Sequence, residues 1–299
     1  MTAALTHSPP EVVANVGALL GEGPLWDPRE NALYWLDIKG ETIFRHALDS
    51  GETNIIAAPG MVSAMALARS GGFICAYRNG FARLSIENGK AHFTPIIDPE
   101  TDKPGNRFND GKADPAGFFW AGTMDDAEKE TSGAWWQLSA DGAVTKVDDP
   151  YHVTNGPAFD PARGRVYLTD SARQTVFVAE TDGTAIRNKK PFLQFGENDG
   201  YPDGMEVDAE GCLWIAFWDG FAVRRYSPDG GLLHEIAMPV PRPTSLAIID
   251  DAMFITSASI GLPEEDRTSY PHSGGLFYVK LSRALADASS VRYVEDIKL

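Results

Sequence analysis

The sequence lacks most of the usual staples and anchors. It has two cysteines in 299 residues, Cys75 and Cys212, far apart and each inside an apolar stretch. With no C-x-x-C pair and no Cys/His cluster, neither a disulfide framework nor a thiolate zinc site is indicated. The reading is two buried, reduced thiols. Positive charge is scarce: 26 Lys and Arg stand against 42 Asp and Glu, a formal net charge of −16. Phosphate backbones need a basic footprint, so nucleic acid is not an expected partner. No apolar run is long enough to span a bilayer, and none is expected to bind one. The N-terminus has no basic segment followed by a long apolar one, so the expectation is a cytoplasmic protein with residues 1–10 as a flexible tail. Helical periodicity is weak outside Ser282–Ala288. There is no G-x-S-x-G elbow and no H-E-x-x-H helix, and the six histidines are scattered, which argues against serine-nucleophile and zincin chemistry.

What the chain does contain is a repeat. Six stretches share one pattern of a short apolar strand, an acid-rich turn, a second apolar strand and a polar strand ending in a turn. They begin at "GPLWDPRENALYWLD", "SAMALARSGGFICAY", "DGKADPAGFFWAGTM", "NGPAFDPARGRVYLTD", "DGMEVDAEGCLWIAF" and "SLAIIDDAMFITS". The turn markers Asp27, Arg69, Asp114, Asp160, Asp208 and Asp250 are 42 to 48 residues apart. That period suits a four-stranded propeller blade. Leu33–Leu36, Phe118–Trp120, Val166–Leu168 and Leu213–Ile215 read as strands bounded by Gly, Pro, Asp and Asn. The expectation is an all-β, six-bladed β-propeller around a central channel, one domain over residues 11–299. A pair of irregular β-sandwiches is the alternative, disfavoured by the regular spacing. Most of the seven tryptophans read as blade packing, and Trp218 alone as a pocket wall.

In a propeller, residues at one phase of the repeat converge. About five residues before each marker stand Glu22, Ala64 beside Ser63, Asn109, Asn155, Asp203, and Ser245 beside Thr244. Each polar member taken alone suits a turn. Together they bring two carboxylates and two amides to one end of the channel. Two carboxylates in a partly enclosed site repel, and a divalent cation relieves them. Oxygen ligands of this kind suit Ca²⁺, Mg²⁺ or Mn²⁺, with Zn²⁺ and Fe²⁺ also open. The expected cofactor is therefore one divalent ion of unspecified identity. Tyr151, Tyr201 and His152 are left open between pocket wall and ordinary loop, and His272 with Ser273-Gly274-Gly275 reads as part of the ring closure.

The motifs "GEGPLWD", "RFNDGKADPAGFFWAGTM", "TNGPAFD", "YPDGMEVDAEGCLWIA" and "HSGGLFYV" resemble the senescence marker protein 30 / gluconolactonase family, six-bladed propellers that hydrolyse sugar lactones. The resemblance runs from Gly21 to Val279. It implies Glu22, Asn155 and Asp203 as metal ligands, Arg107 and Asn109 as substrate contacts, and Asp203 as candidate general base. It implies a small-molecule aldonolactone, pentonic or hexonic, as substrate. The segment Asp125-Asp126-Ala127-Glu128 departs from the family: counting from Met124 places Ala127 where some members have an acid, with Asp126 and Glu128 open as substitutes, so no role is assigned there. Rival expectations are a non-catalytic calcium-binding propeller and an esterase of related type. A monomer or weak homodimer is expected.

Overall fold

Buried acids organise the blades. In a computed structural model describing residues 4–286 and 291–297, Asp114 sits in the turn between the first two strands of its repeat. Its Oδ1 accepts the backbone N–H of Ala116 (2.8 Å) and Phe118 (2.9 Å), and its Oδ2 accepts Trp120 Nε1 (3.0 Å). Asp208 repeats the device: Oδ1 accepts from Glu210 (2.9 Å) and Cys212 (3.0 Å), and Oδ2 from Trp214 Nε1 (2.9 Å). An Asp that bonds its own turn while anchoring the tryptophan of the next strand joins turn chemistry to core packing. Asp27 and Asp160 instead pair with Arg29 and Arg163 of their own turns.

Six antiparallel sheets result. The innermost strands are Gly21–Asp27, Val62–Ala68, Asn106–Ala113, Thr154–Asp160, Tyr201–Val207 and Pro243–Ile249. The six-bladed propeller with four-stranded blades is as expected. The sixth blade has only three strands from its own repeat and takes its fourth from the other end of the chain: Glu11–Ala14 pairs with Leu276–Lys280. The His272–Gly275 loop packs on the same link, and a Cβ on Gly274 would lie 2.3 Å from the Ala18 carbonyl oxygen.

The apolar core is not central. Six clusters of buried side chains sit one at each blade–blade boundary, among them Trp120 and Trp135 against Phe159 between blades 3 and 4, and Trp214 against Phe277 between blades 5 and 6. Burial is thus shared round a ring and the axis is left to polar groups. The far end of that axis is crossed by the C-terminal segment. Tyr293–Val294 pairs in parallel with Leu67 and Ala68, the Glu295 N–H reaches the Gly117 carbonyl, and Tyr293 lies against Arg29.

Two expectations differ from the structure. The N-terminal segment is not free over its described part: Ser8 exchanges hydrogen bonds with Lys280, and Thr6 with Ser282. Residues 1–3 lie outside the described residues. The helical signal at Ser282–Ala288 yields no helix over 282–286, and 287–288 lie outside the described residues. The only α-helix among the described residues is the short Glu264–Ser269, within blade 6. Among them no helix is long and apolar enough to cross a membrane.

Arg225 is buried and bonds both Asp208 (2.7 Å) and Glu210 (2.6 Å). Asp208→Ala strips partners from Trp214 and Arg225 together, and urea unfolding should show a loss of about 3 kcal/mol, the low end for a broken buried pair because Glu210 remains. Glu235→Ala, which breaks the exposed pair with Arg224, should cost less than about 1 kcal/mol.

Candidate active site

Every innermost strand carries the same irregularity. The register with the second strand shifts between Glu22 and Leu25, Val62 and Ala64, Phe108 and Gly111, Asn155 and Ala158, Pro202 and Met205, and Pro243 and Leu246. One extra inner residue in each blade makes a bulge, which bends the strand and re-aims its side chains. The Gly-rich dipeptides Glu22-Gly23, Asn155-Gly156 and Asp203-Gly204 fall in these bulges. Gly204 is required by close approach: a Cβ there would lie 2.3 Å from Ser245 Oγ.

The bulges bring Glu22, Asn109, Asn155 and Asp203 to the wall of one cavity of about 570 Å³, with Arg107 beside them. The other two positions of the ring do not line it. Ser63 Oγ turns to the Ala76 carbonyl (3.4 Å), and Ser245 packs beneath Gly204.

A chain of hydrogen bonds fixes the amides. Arg107 Nη1 donates to Asn109 Oδ1 (2.7 Å), Asn109 Nδ2 to Asn155 Oδ1 (2.9 Å), Asn155 Nδ2 to Ser171 Oγ (2.8 Å), and Ser171 Oγ to the Pro202 carbonyl (2.6 Å). Four links span blades 3, 4 and 5 and leave Asn155 Oδ1 as the acceptor end of its amide. Asp110 ties blade 3 to blade 4 by accepting the N–H groups of Gly111 (2.7 Å) and Gly156 (2.9 Å). Burial pushes the Asp110 carboxyl up to about 6.

The two acids are poorly satisfied. Glu22 and Asp203 are 6 % and 5 % exposed. Glu22 accepts one backbone bond, from Gly23 at 3.2 Å, and Asp203 Oδ1 has no hydrogen-bond partner among the described residues. Burial, then the charges of Asp203 and Asp110, hold Glu22 well above the usual carboxylate range. Burial, then Asp110, does the same to Asp203. An unpartnered buried carboxylate oxygen beside a second carboxylate and an amide oxygen fits a hard divalent cation. The set is two acids and an amide. No group of three or more His, Cys, Asp and Glu placed to hold a metal occurs among the described residues.

The segment 125–128 divides its labour. Asp125 caps the following turn, its Oδ2 accepting from Lys129 (2.9 Å) and Glu130 (3.1 Å). Asp126 is met by Lys39 (2.6 Å), Arg107 (2.7 Å) and Arg78 (3.0 Å). Burial acts to raise its carboxyl, but the Lys39 and Arg78 hydrogen bonds and the Arg107 charge outweigh this and bring it down to about 2. Ala127 is exposed, while Glu128 lines the cavity. His152, Tyr201 and Trp218 line it too, with the Arg242 guanidinium 4.6 Å over the Trp218 ring. Tyr151 does not: it is buried against Trp135 and Phe177. Lys39, Asp110, Asp126, Ser171 and Arg242 carried no signal in the repeat, because none stands at the phase of the ring.

The sequence pattern of the SMP-30/Gluconolactonase/LRE-like region matches residues 20–259. The chain is 30 % identical to regucalcin of Xenopus laevis, over 90 % of this chain and 93 % of that one. It is 31 % identical to L-arabinolactonase of Azospirillum brasilense, over 91 % and 92 %. Among solved structures, the calcium-binding protein regucalcin from Agrobacterium tumefaciens superposes with a TM-score of 0.88 at 28 % identity, covering 100 % of both chains.

Raised folded-state values for Glu22 and Asp203 mean that their protons stabilise the metal-free fold. That contribution is full below the unfolded values, near 4.5 and 3.8, and is lost as pH rises through the folded ones. With chelator present, the urea midpoint should therefore fall from pH 5 to pH 8, and the Glu22→Gln/Asp203→Asn double variant should flatten that slope.

Proposed function

The chain belongs to the SMP-30/gluconolactonase/LRE-like family, and from that premise we propose that it is a sugar lactonase, hydrolysing an aldonolactone to the sugar acid in the cavity that Asp203 lines. The observation that carries this is the unpartnered, buried Asp203 Oδ1 beside Glu22, in a cavity that also presents Arg107 and Asn109. Glu22, Asn155 and Asp203 would hold one divalent cation, which when bound supplies Lewis-acid polarisation of a carbonyl and a more acidic water.

The protein's own groups do the rest. Arg107 Nη1 and Nε are spent on protein acceptors, and Nη2 has none among the described residues, which leaves its N–H groups for a substrate oxygen. A guanidinium fixed in this way positions a small polyol at little entropic cost. Asp203 is the proposed proton acceptor as water adds to the acyl carbon. Burial makes it a stronger base, ligation a weaker one, and general-base catalysis works best when the balance falls near the operating pH. A purely ion-binding propeller would use Arg107 and Asn109 to orient Asn155 but would have no need of a spare guanidinium donor in the wall. The buried, unpaired Cys75 and Cys212 support a reducing compartment, and we place the protein in the cytoplasm.

Proton release from a panel of aldonolactones, using metal-stripped protein with single divalent cations added back, tests the proposal. Turnover should return with at least one cation. Asp203→Asn should lower kcat by about 10² or more, whereas Arg107→Met should act mainly by raising KM. Cation binding without turnover of any lactone would leave a binding propeller in place of an enzyme.

A further inference from the structure

Three cations from three blades meet one carboxylate at the edge of the cavity. Lys39 lies in the turn after the second strand of blade 1, Arg78 in the corresponding turn of blade 2, and Arg107 on the inner strand of blade 3. All three bond Asp126. Two further acids act on Arg107, Glu128 and then Glu22, and Glu22 stands at the candidate metal position. Setting Glu22 aside as a candidate metal ligand, three cations against Asp126 and Glu128 leave a surplus of one positive charge. On the opposite wall Arg242 is matched by Asp219 (2.6 Å).

Donors outnumber acceptors as well. The Lys39 ammonium has three N–H donors and the Arg78 guanidinium five, and among the described residues each side chain makes a single hydrogen bond, to Asp126. Their side chains remain 24 % and 41 % exposed, so the unused donors are open to a ligand. The protein as a whole carries a formal charge of −16. A local cationic surplus in so acidic a molecule is not a sample of its average surface. It works against a field that otherwise repels anions. A neutral polyol needs no such surplus, and a structural role for Asp126 would be met by one or two cations.

We propose that Lys39, Arg78 and Arg107 form a subsite for an anionic group carried by the substrate away from its acyl carbon. The reading rests on the lactonase assignment and narrows it to acidic sugar lactones. The anion is a terminal carboxylate or a phosphate, both of which take charge-assisted hydrogen bonds from an ammonium and a guanidinium fork. The route from this subsite to the candidate metal ligands is short and rigid. Asp126, Arg107, Asn109 and Asn155 are linked by hydrogen bonds of 2.7, 2.7 and 2.9 Å, so the anion and the scissile carbonyl would be held in one frame.

The test compares kcat/KM for a neutral aldonolactone, an aldaric acid monolactone with a free terminal carboxylate, and an aldonolactone phosphorylated at its terminal carbon. At least one charged lactone should exceed the neutral one by about tenfold or more, and which one does identifies the anion. The preference should shrink in Lys39→Met and Arg78→Met, further in the double variant, mainly through KM, and should weaken as salt is raised. Equal turnover of all three lactones, or a preference untouched by the double variant, would overturn the subsite while leaving the lactonase standing. Should no lactone be turned over, the lactonase reading fails, and calorimetry decides the subsite alone. Open-chain aldarate binding more tightly than a neutral alditol, with the difference lost in the double variant, would support it. No difference would end it.

Discussion

Two buried acids in the wall of one cavity are the constraint around which the rest of the molecule is arranged. Glu22 and Asp203 come from blades 1 and 5 and have almost no protein donors between them. Desolvating such groups is costly, and the cost falls where the chain has no core. Apolar burial is moved outward into six inter-blade clusters, each independent of the axis. The fold can thus tolerate an unfavourable centre because its stability is stored at the blade boundaries.

The inner-strand bulge connects that economy to chemistry. A regular strand alternates its side chains between two faces. One extra residue per blade breaks the alternation at the same height in all six. Blades 1, 3, 4 and 5 place an acid or an amide there, while blades 2 and 6 place serines that turn away. Sixfold architecture therefore yields an asymmetric site, open on one side. The Arg107–Asn109–Asn155–Ser171 relay then fixes which end of each amide faces inward, an orientation that backbone geometry alone does not set.

Much of this was legible in the residues. The markers Asp114 and Asp208 are recognisable six positions before Trp120 and Trp214, and the structure gives the reason: each carboxylate bonds that indole. Phase within the repeat then picked out Glu22, Asn109, Asn155 and Asp203, which share a cavity wall. What stayed hidden depends on side chains arriving from turns of unequal length. Asp126 looks like one of several acids in an exposed loop until Lys39 and Arg78 approach from two other blades. The same limit applies to the N-terminal residues. Nothing local in Glu11–Ala14 says that its partner strand begins more than 260 residues later. The Glu264–Ser269 helix is too short for periodicity to reveal.

The closure of blade 6 by Glu11–Ala14 has a consequence for how the molecule comes into being. That segment is made more than 260 residues before the strand it pairs with, Leu276–Lys280. Glu22 likewise precedes Asp203 by 181 residues. At about 5–20 residues per second that interval is roughly 10–40 s. Until then the nascent chain is an open arc with a stray strand at one end and half a charge pair at its centre. The ring shuts only once Leu276–Lys280 has been made, so the same event that completes the sheet also removes an unpaired edge from the cell.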